Sequence, residues 1–239
     1  MTDTILNLWR QPLTAVPESL WDRTDLTVLI LADTGLTELP PAIGRLRRLH
    51  TLDLGHNRLT AVPAELGDTG LTDFLYLHDN ALTRLPAALG RLGALRYLNI
   101  GENPIAELPD ELGGLTALVE LRAQHNRLTA LPETLGELRS LRELWLRGNA
   151  LTELPAGFAR LTELRELELR ENALTAVPPE LAGLPLLRRL DLRGNRITEL
   201  PEWLAGLPAL EKLDLRWNDV TPPPGLLAAL TARGCVVLH

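Results

Sequence analysis

The chain has 239 residues, of which 45% are hydrophobic and only 4% aromatic, and its formal net charge is −7. A core with so few aromatic side chains must be built mainly from leucine. The negative charge argues against a nucleic-acid partner, because phosphate binding requires a basic surface. The single cysteine, Cys235, excludes an intramolecular disulfide and is typical of a reducing cytoplasm.

The amino terminus has no basic segment ahead of an apolar run, so we expect no signal peptide. No stretch approaches the about 18 consecutive apolar residues that a membrane span requires, so we expect no membrane partner. Arginine supplies every basic residue except Lys212. This bias favours a GC-rich, bacterial source.

Asparagines recur every 23 residues along most of the chain, and no insertion breaks the interval. Extending the interval backwards reaches Thr34 and Gln11, where the surrounding leucines still fit, so the chain contains ten units. Strict internal periodicity of this kind predicts a solenoid, in which each unit packs against its neighbours. The asparagines are Asn57, Asn80, Asn103, Asn126, Asn149, Asn172, Asn195 and Asn218.

Each unit follows the pattern LxxLxLxxNxLTxLPxxLGxLxx, as residues 141–163 illustrate. Leu144 and Leu146 alternate with other residues, which predicts a short strand with one buried face. Because one unit cannot bury these leucines alone, stacked units should align their strands in one parallel sheet. The amide of each asparagine can donate to and accept from backbone groups of adjacent coils, so we interpret the asparagines as a structural ladder.

This pattern resembles the leucine-rich-repeat family over essentially the whole chain. The 23-residue form with LP and LG is most similar to the intracellular group that includes Ras-suppressor and Scribble-type proteins. The resemblance implies an α/β solenoid shaped as a curved horseshoe, with about eleven short parallel strands on the concave face and short helices or turns on the convex face. We treat residues 1–239 as one leucine-rich-repeat domain that begins with a capping unit at residues 1–25.

Two segments depart from the pattern. In residues 67–74, Thr69 and Thr72 stand where most other units have leucine, which predicts a local distortion without a break. In residues 219–239, the sequence PPPG replaces the usual turn, and we expect a carboxy-terminal cap. Adding 23 to Leu213 and Leu215 gives Val236 and Leu238, so residues 235–238 should form an eleventh strand. Its open edge would permit end-to-end dimers of a protein that we otherwise expect to be monomeric.

The strand residues on either side of each buried leucine should point to solvent, where they are free to contact a partner. Near the middle of the chain these positions are aromatic, which is typical of binding hot spots but also of cross-strand pairs that stabilise a sheet. We call this group the aromatic cluster: Phe74, Tyr76, His78, Tyr97 and Trp145.

Towards the carboxy terminus the same positions are charged. Glu168, Asp191 and Asp214 alternate with arginines, either as a solvated ion-pair network or as a surface that selects a charged partner. Near the amino terminus they are apolar, at Ile5, Trp9, Val28 and Ile30, which fits either end capping or partner contact. We call the candidate contact arginines the arginine ladder: Arg122, Arg147, Arg170, Arg193 and Arg216.

The histidines match no familiar metal-ligand spacing, and we expect neither a metal nor a cofactor. The sequence shows no base-activated nucleophile and no phosphate-binding loop, so we expect no catalysis. The favoured function is a module that binds a protein or peptide on its concave face. The alternatives are the recognition subunit of an effector or signalling system whose catalytic component is a separate chain, and a consensus-like scaffold without a partner.

Overall fold

The computed structural model describes residues 4–13 and 15–239, and the strands among these residues form one continuous parallel sheet. The strands lie in the sheet in sequence order, and each is three residues long. The predicted solenoid sheet is therefore confirmed, while parts of the expected capping unit, residues 1–3 and 14, lie outside the described residues. Within the described residues the strands β1 to β11 are Ile5–Asn7, Val28–Ile30, Thr51–Asp53, Phe74–Tyr76, Tyr97–Asn99, Glu120–Arg122, Glu143–Trp145, Glu166–Glu168, Arg189–Asp191, Lys212–Asp214 and Val236–Leu238.

Strands β2 to β10 bury their middle residue, and the residues on either side of it lie on the open face of the sheet. In β1 and β11, at the two ends of the stack, the middle residue is only partly buried. In β7, Leu144 is fully buried, whereas Glu143 and Trp145 are only half-buried. The register places Leu144 between Leu121 and Leu167 of the neighbouring strands. Because this register repeats from β1 to β10, residues 23 positions apart line up as columns across the open face.

The opposite wall of the solenoid consists mainly of short helices, as the sequence predicts. A proline directly precedes each of the 3-10 helices in the described part of the chain, with φ between −57° and −75°. This fixed backbone angle prepares the chain for the helical turn. The 3-10 helices are Glu18–Asp22, Pro41–Arg45, Ala64–Asp68, Ala87–Arg91, Asp110–Gly114, Glu133–Glu137, Ala156–Arg160, Pro179–Gly183 and Glu202–Gly206.

The glycine of the LG pair allows neighbouring helices to stack closely. A Cβ atom on Gly136 would overlap the backbone carbonyl of Gly157 in the next helix. Two later units read LAG instead of LG, so their glycine is displaced by one residue. A Cβ atom on Gly183 meets no described atom within 4 Å. Glycine is therefore needed at position 136, where the next helix lies this close, and not at position 183.

Each repeated asparagine connects the backbones of adjacent coils. The Nδ2 of Asn126 donates to the carbonyl oxygens of Ile100, at 3.0 Å, and Ala123, at 3.1 Å. Its Oδ1 accepts a hydrogen bond from the backbone N–H of Ile105 at 3.2 Å. The side chain is buried, so it satisfies backbone groups that water does not reach. Where Thr34 replaces the asparagine, its hydroxyl donates to the carbonyl of Leu31 at 2.8 Å.

Residues 67–74 contain the predicted local distortion. The ψ angle of Thr69 is 167°, compared with 62° for Leu138 at the same position of a regular unit. The Thr69 hydroxyl is buried and donates to the carbonyl of Leu66 at 2.7 Å. The strand that follows nevertheless keeps its register, because Phe74 still pairs with Thr51. The expectation of a distortion without a break is confirmed.

The last strand exists, but the predicted register is wrong by one residue. Val236 pairs with Lys212 and Val237 pairs with Leu213, so the final unit is one residue longer than the others. The physical reason is that the α-helix α1, Pro224–Ala232, replaces the usual 3-10 helix. As a result Cys235 is buried and Val236, expected in the core, is exposed.

Candidate functional site

The aromatic cluster forms a connected surface on the open face of the sheet. The ring of Tyr97 lies 5.6 Å from that of Phe74 and 5.0 Å from that of Tyr76, measured between ring centroids. These contacts support a stabilising role across β4 and β5. Phe74 nevertheless remains 42% exposed, so mutual packing does not remove the cluster from solvent.

Arg122 links this group to Trp145. Its guanidinium carbon lies 5.9 Å from the centroid of the Tyr97 ring and 5.2 Å from that of Trp145, so it lies within cation–π range of both. Its Nε also donates to Glu120 at 2.5 Å. The structure thus brings the sequence-predicted residues Phe74, Tyr76, Tyr97, Arg122 and Trp145 together on one surface.

His78 borders the aromatic cluster and contacts His56 of the neighbouring unit. Their Nε2 atoms are 3.2 Å apart, and the Nδ1 of His56 lies 2.7 Å from a carboxylate oxygen of Asp79. Gly55 makes room for this arrangement, because a Cβ atom there would overlap the His78 ring. Burial, with a smaller contribution from His56, lowers the pKa of His78, so we expect its imidazole to be neutral at pH 7.

Titration of the tyrosine hydroxyls tests how far the rings of the aromatic cluster are buried. Burial raises the pKa of Tyr97 from 10.0 to about 12, because the phenolate loses hydration. In a Tyr76→Phe variant Tyr97 is the sole tyrosine, so tyrosinate absorbance reports on it alone. We expect a titration midpoint near 12 in the folded protein and near 10, the usual value, in urea.

The sign of the linked stability change follows from this upward shift. Because the folded pKa exceeds the unfolded one, the stability contributed by Tyr97 is complete below pH 10.0 and is lost as the pH rises towards about 12. A folded midpoint near the usual value would show that the Tyr97 ring is open to water.

The arginine ladder is already paired with carboxylates. The Nη2 of Arg193 lies 2.5 Å from Asp191, and the Nη2 of Arg216 lies 2.7 Å from Asp214. Glu171 pairs with two arginines, Arg147 at 3.2 Å and Arg170 at 2.7 Å, counted as N to O distances. The geometry therefore favours the ion-pair network over a row of free positive charges.

The sequence analysis missed two residues of this region, Glu171 and Trp217. Trp217 is 66% exposed, and the guanidinium carbons of Arg170 and Arg193 lie 5.2 Å and 6.0 Å from its ring centroid. Like Glu171, it stands directly before a repeated asparagine and has a positive φ angle. The sequence analysis did not assign the residues directly before the asparagines to the open face. A tryptophan at this position was the signal that could have found the site, because bulky residues rarely adopt a left-handed conformation.

The apolar residues near the amino terminus also lie on the open face. Ile5 and Trp9 are exposed, and Val28 and Ile30 are half-buried. Within the described residues no group of three or more His, Cys, Asp and Glu side chains is arranged to hold a metal. In the same part of the chain no helix has both the length and the apolar character to cross a membrane.

Two family models match the sequence. The model described as leucine-rich repeat region matches residues 87–173, and the model described as leucine rich repeat matches residues 162–220. With the eleven-stranded parallel sheet, seen over the described residues, these matches show that the chain is a leucine-rich-repeat protein. A comparison with curated protein sequences finds no match.

Solved structures of similar fold include bacterial and plant proteins. A leucine-rich-repeat protein of Leptospira interrogans is 28% identical with a TM-score of 0.62, over 98% of this chain and 77% of the other. The ectodomain of the plant receptor kinase GASSHO1/SCHENGEN3 from Arabidopsis thaliana is 31% identical with a TM-score of 0.82. That match covers 93% of this chain but only 28% of the ectodomain. The plant peptide hormone receptor RGFR1, at 23% identity and a TM-score of 0.72, shares the fold.

Proposed function

We propose that this protein binds a protein or peptide on the open, concave face of its sheet, with the aromatic cluster as the main contact. The observation that carries the proposal is the surface of Phe74, Tyr76, Tyr97 and Trp145, connected by Arg122. Aromatic residues make up only 4% of the chain, and the leucine core does not require them here. Large rings that lose little entropy on binding are typical of hot spots.

The comparisons support a partner of this class. The GASSHO1/SCHENGEN3 ectodomain was solved in complex with CASPARIAN STRIP INTEGRITY FACTOR 2, and RGFR1 in complex with RGF2. The two complexes support a scaffold of this fold that binds a protein or peptide. They do not indicate which ligand this protein binds, because fold alone does not determine function.

A paired substitution tests the proposal. Tyr76→Ala combined with Tyr97→Ala should weaken capture of the cellular partner by at least about 30-fold, since one hot-spot ring contributes about 2 kcal/mol or more and the two contributions are not fully additive. Stability should fall by about 1–3 kcal/mol, because the variant loses several ring contacts between β4 and β5, each of which contributes up to about 1 kcal/mol. The measurement is affinity capture from the source organism, quantified by mass spectrometry, with thermal melting of both proteins.

The matched control is Arg127→Ala with Thr152→Ala, which changes two exposed residues outside the strands. The control should capture the same partner as the unmodified protein. Equal recovery of that partner by the tyrosine variant would contradict the proposal.

The cellular setting is part of the proposal. We infer a monomer that acts in a bacterial cytoplasm, since a single buried thiol, Cys235, suits a reducing compartment. The open edge of β11 is the place where an end-to-end dimer would form.

A further inference from the structure

A hollow on the open face begins where the aromatic cluster ends. It has a volume of about 200 Å³, and Trp145 forms one wall beside β8, β9 and β10. Glu168 lies next to Trp145, because these two residues are paired in the sheet register. The hollow is therefore continuous with the surface proposed above to bind the partner.

Most carboxylates that line the hollow have a positively charged neighbour. Glu166 pairs with Arg189 at 3.1 Å, and Asp191 and Asp214 pair with arginines of the ladder as described above. Glu168 differs, because no described basic side chain lies within 4.0 Å of its carboxylate. It is nevertheless half-buried, where an unmatched charge is costly.

The electrostatic environment of Glu168 also indicates that its negative charge is not matched by a positive one. Burial, followed by the nearby charge of Asp191, raises the pKa of its carboxyl group. Arg147, Arg193 and Arg170 act in the opposite direction but do not compensate. Lys212 also lines the hollow, but it lies two strands away and is exposed. A further positive charge placed against Glu168 would thus be stabilised.

We infer that the hollow receives one basic side chain, lysine or arginine, of the bound protein segment, with its stem along Trp145 and its charge against Glu168. This inference rests on the proposed function and specifies its partner. An indole wall suits both the alkyl stem and the charge of such a side chain. The carboxylate that would form the ion pair is the one that the fold leaves unmatched.

The sheet also sets the spacing of the partner's contacts. Tyr97 on β5 and Glu168 on β8 are three strands apart, and Tyr76 on β4 is four strands from Glu168. With strands about 4.8 Å apart, these separations are about 14 and 19 Å, which an extended segment covers in about four to six residues. The partner segment should therefore carry a large hydrophobic residue about four to six positions from the basic one.

A peptide selection on the purified protein tests the inference directly. A random dodecapeptide library is selected on the full-length protein, and enriched peptides are measured against variants. We expect a shared basic residue at that spacing and affinity about ten-fold weaker for Glu168→Gln, as for loss of a desolvated charge pair. Glu153→Gln is the matched control, since it removes the same charge from an exposed residue outside the strands.

The other outcomes separate the two proposals. Peptides that require Tyr76 and Tyr97 but bind Glu168→Gln as well as the unmodified protein would overturn the basic-residue inference and leave the proposed function standing. Acidic peptides that depend on Lys212 would also overturn it. Peptides that require Glu168 but tolerate Tyr76→Ala with Tyr97→Ala would support the hollow and contradict the aromatic contact.

Discussion

Gly136→Ala is expected to lower the free energy of unfolding by about 1–3 kcal/mol, the usual cost of adding a methyl group to a closely packed site. The added methyl group would overlap the carbonyl of Gly157, which is backbone and cannot rotate away as a side chain would. To relieve this overlap the two helices would have to move apart, and the contacts between the adjacent leucines would then loosen. Urea denaturation followed by circular dichroism measures the change.

Gly183→Ala is the matched control for this prediction. The same substitution is made in the same type of helix, but the new Cβ atom would meet no described atom within 4 Å. Its stability should be unchanged or higher by about 0.4–1 kcal/mol, because alanine restricts the unfolded chain. Equal losses in the two variants would show that helix stacking does not explain the LG glycine.

Asn126→Ala is expected to lower the free energy of unfolding by about 1–3 kcal/mol, because buried backbone groups lose their partner. The carbonyls of Ile100 and Ala123 and the N–H of Ile105 would all be affected. The loss should be concentrated in the middle of the stack, since repeat units depend mainly on their neighbours. Hydrogen exchange of the Ile105 amide gives the local measurement, and urea denaturation gives the global one.

Two further variants separate the hydrogen bonds of Asn126 from the size of its side chain. Asn126→Asp keeps the shape but places an oxygen against the carbonyls of Ile100 and Ala123, so it should be at least as unstable as the alanine variant. Arg127→Ala changes the adjacent exposed residue and should leave stability within about 0.5 kcal/mol. A wild-type denaturation curve for Asn126→Ala would contradict the ladder.

The sequence was sufficient to predict the strands because buried leucines and asparagines repeat without insertion. Stacking then leaves one register for β1 to β10, and the residues beside each leucine must share a face. The prediction failed at β11, where nothing in the spacing of Leu213 and Leu215 shows that α1 adds one residue. The need for glycine at position 136 was also missed, because it depends on the distance between neighbouring helices.

The candidate site was predictable in its aromatic part and not in its charged part. Tyr76 and Tyr97 stand in strand columns, so their contact follows from the register. Ion pairing depends on side-chain rotamers, and the sequence therefore did not indicate that Glu171 binds two arginines while none of the described arginines pairs with Glu168. Trp217 was missed because it follows the last column that strand alternation assigns to the open face, and only its contact with Arg170 shows that it belongs to that surface.

Site-specific photocrosslinking in the source organism tests the binding face most directly. One variant carries a benzophenone amino acid at position 97, in the aromatic cluster. A second variant of the same protein carries it at position 110, an exposed residue of a 3-10 helix on the opposite wall. We predict that one partner is crosslinked from position 97 and not from position 110. Crosslinking of that partner from position 110 alone would contradict binding on the open face of the sheet.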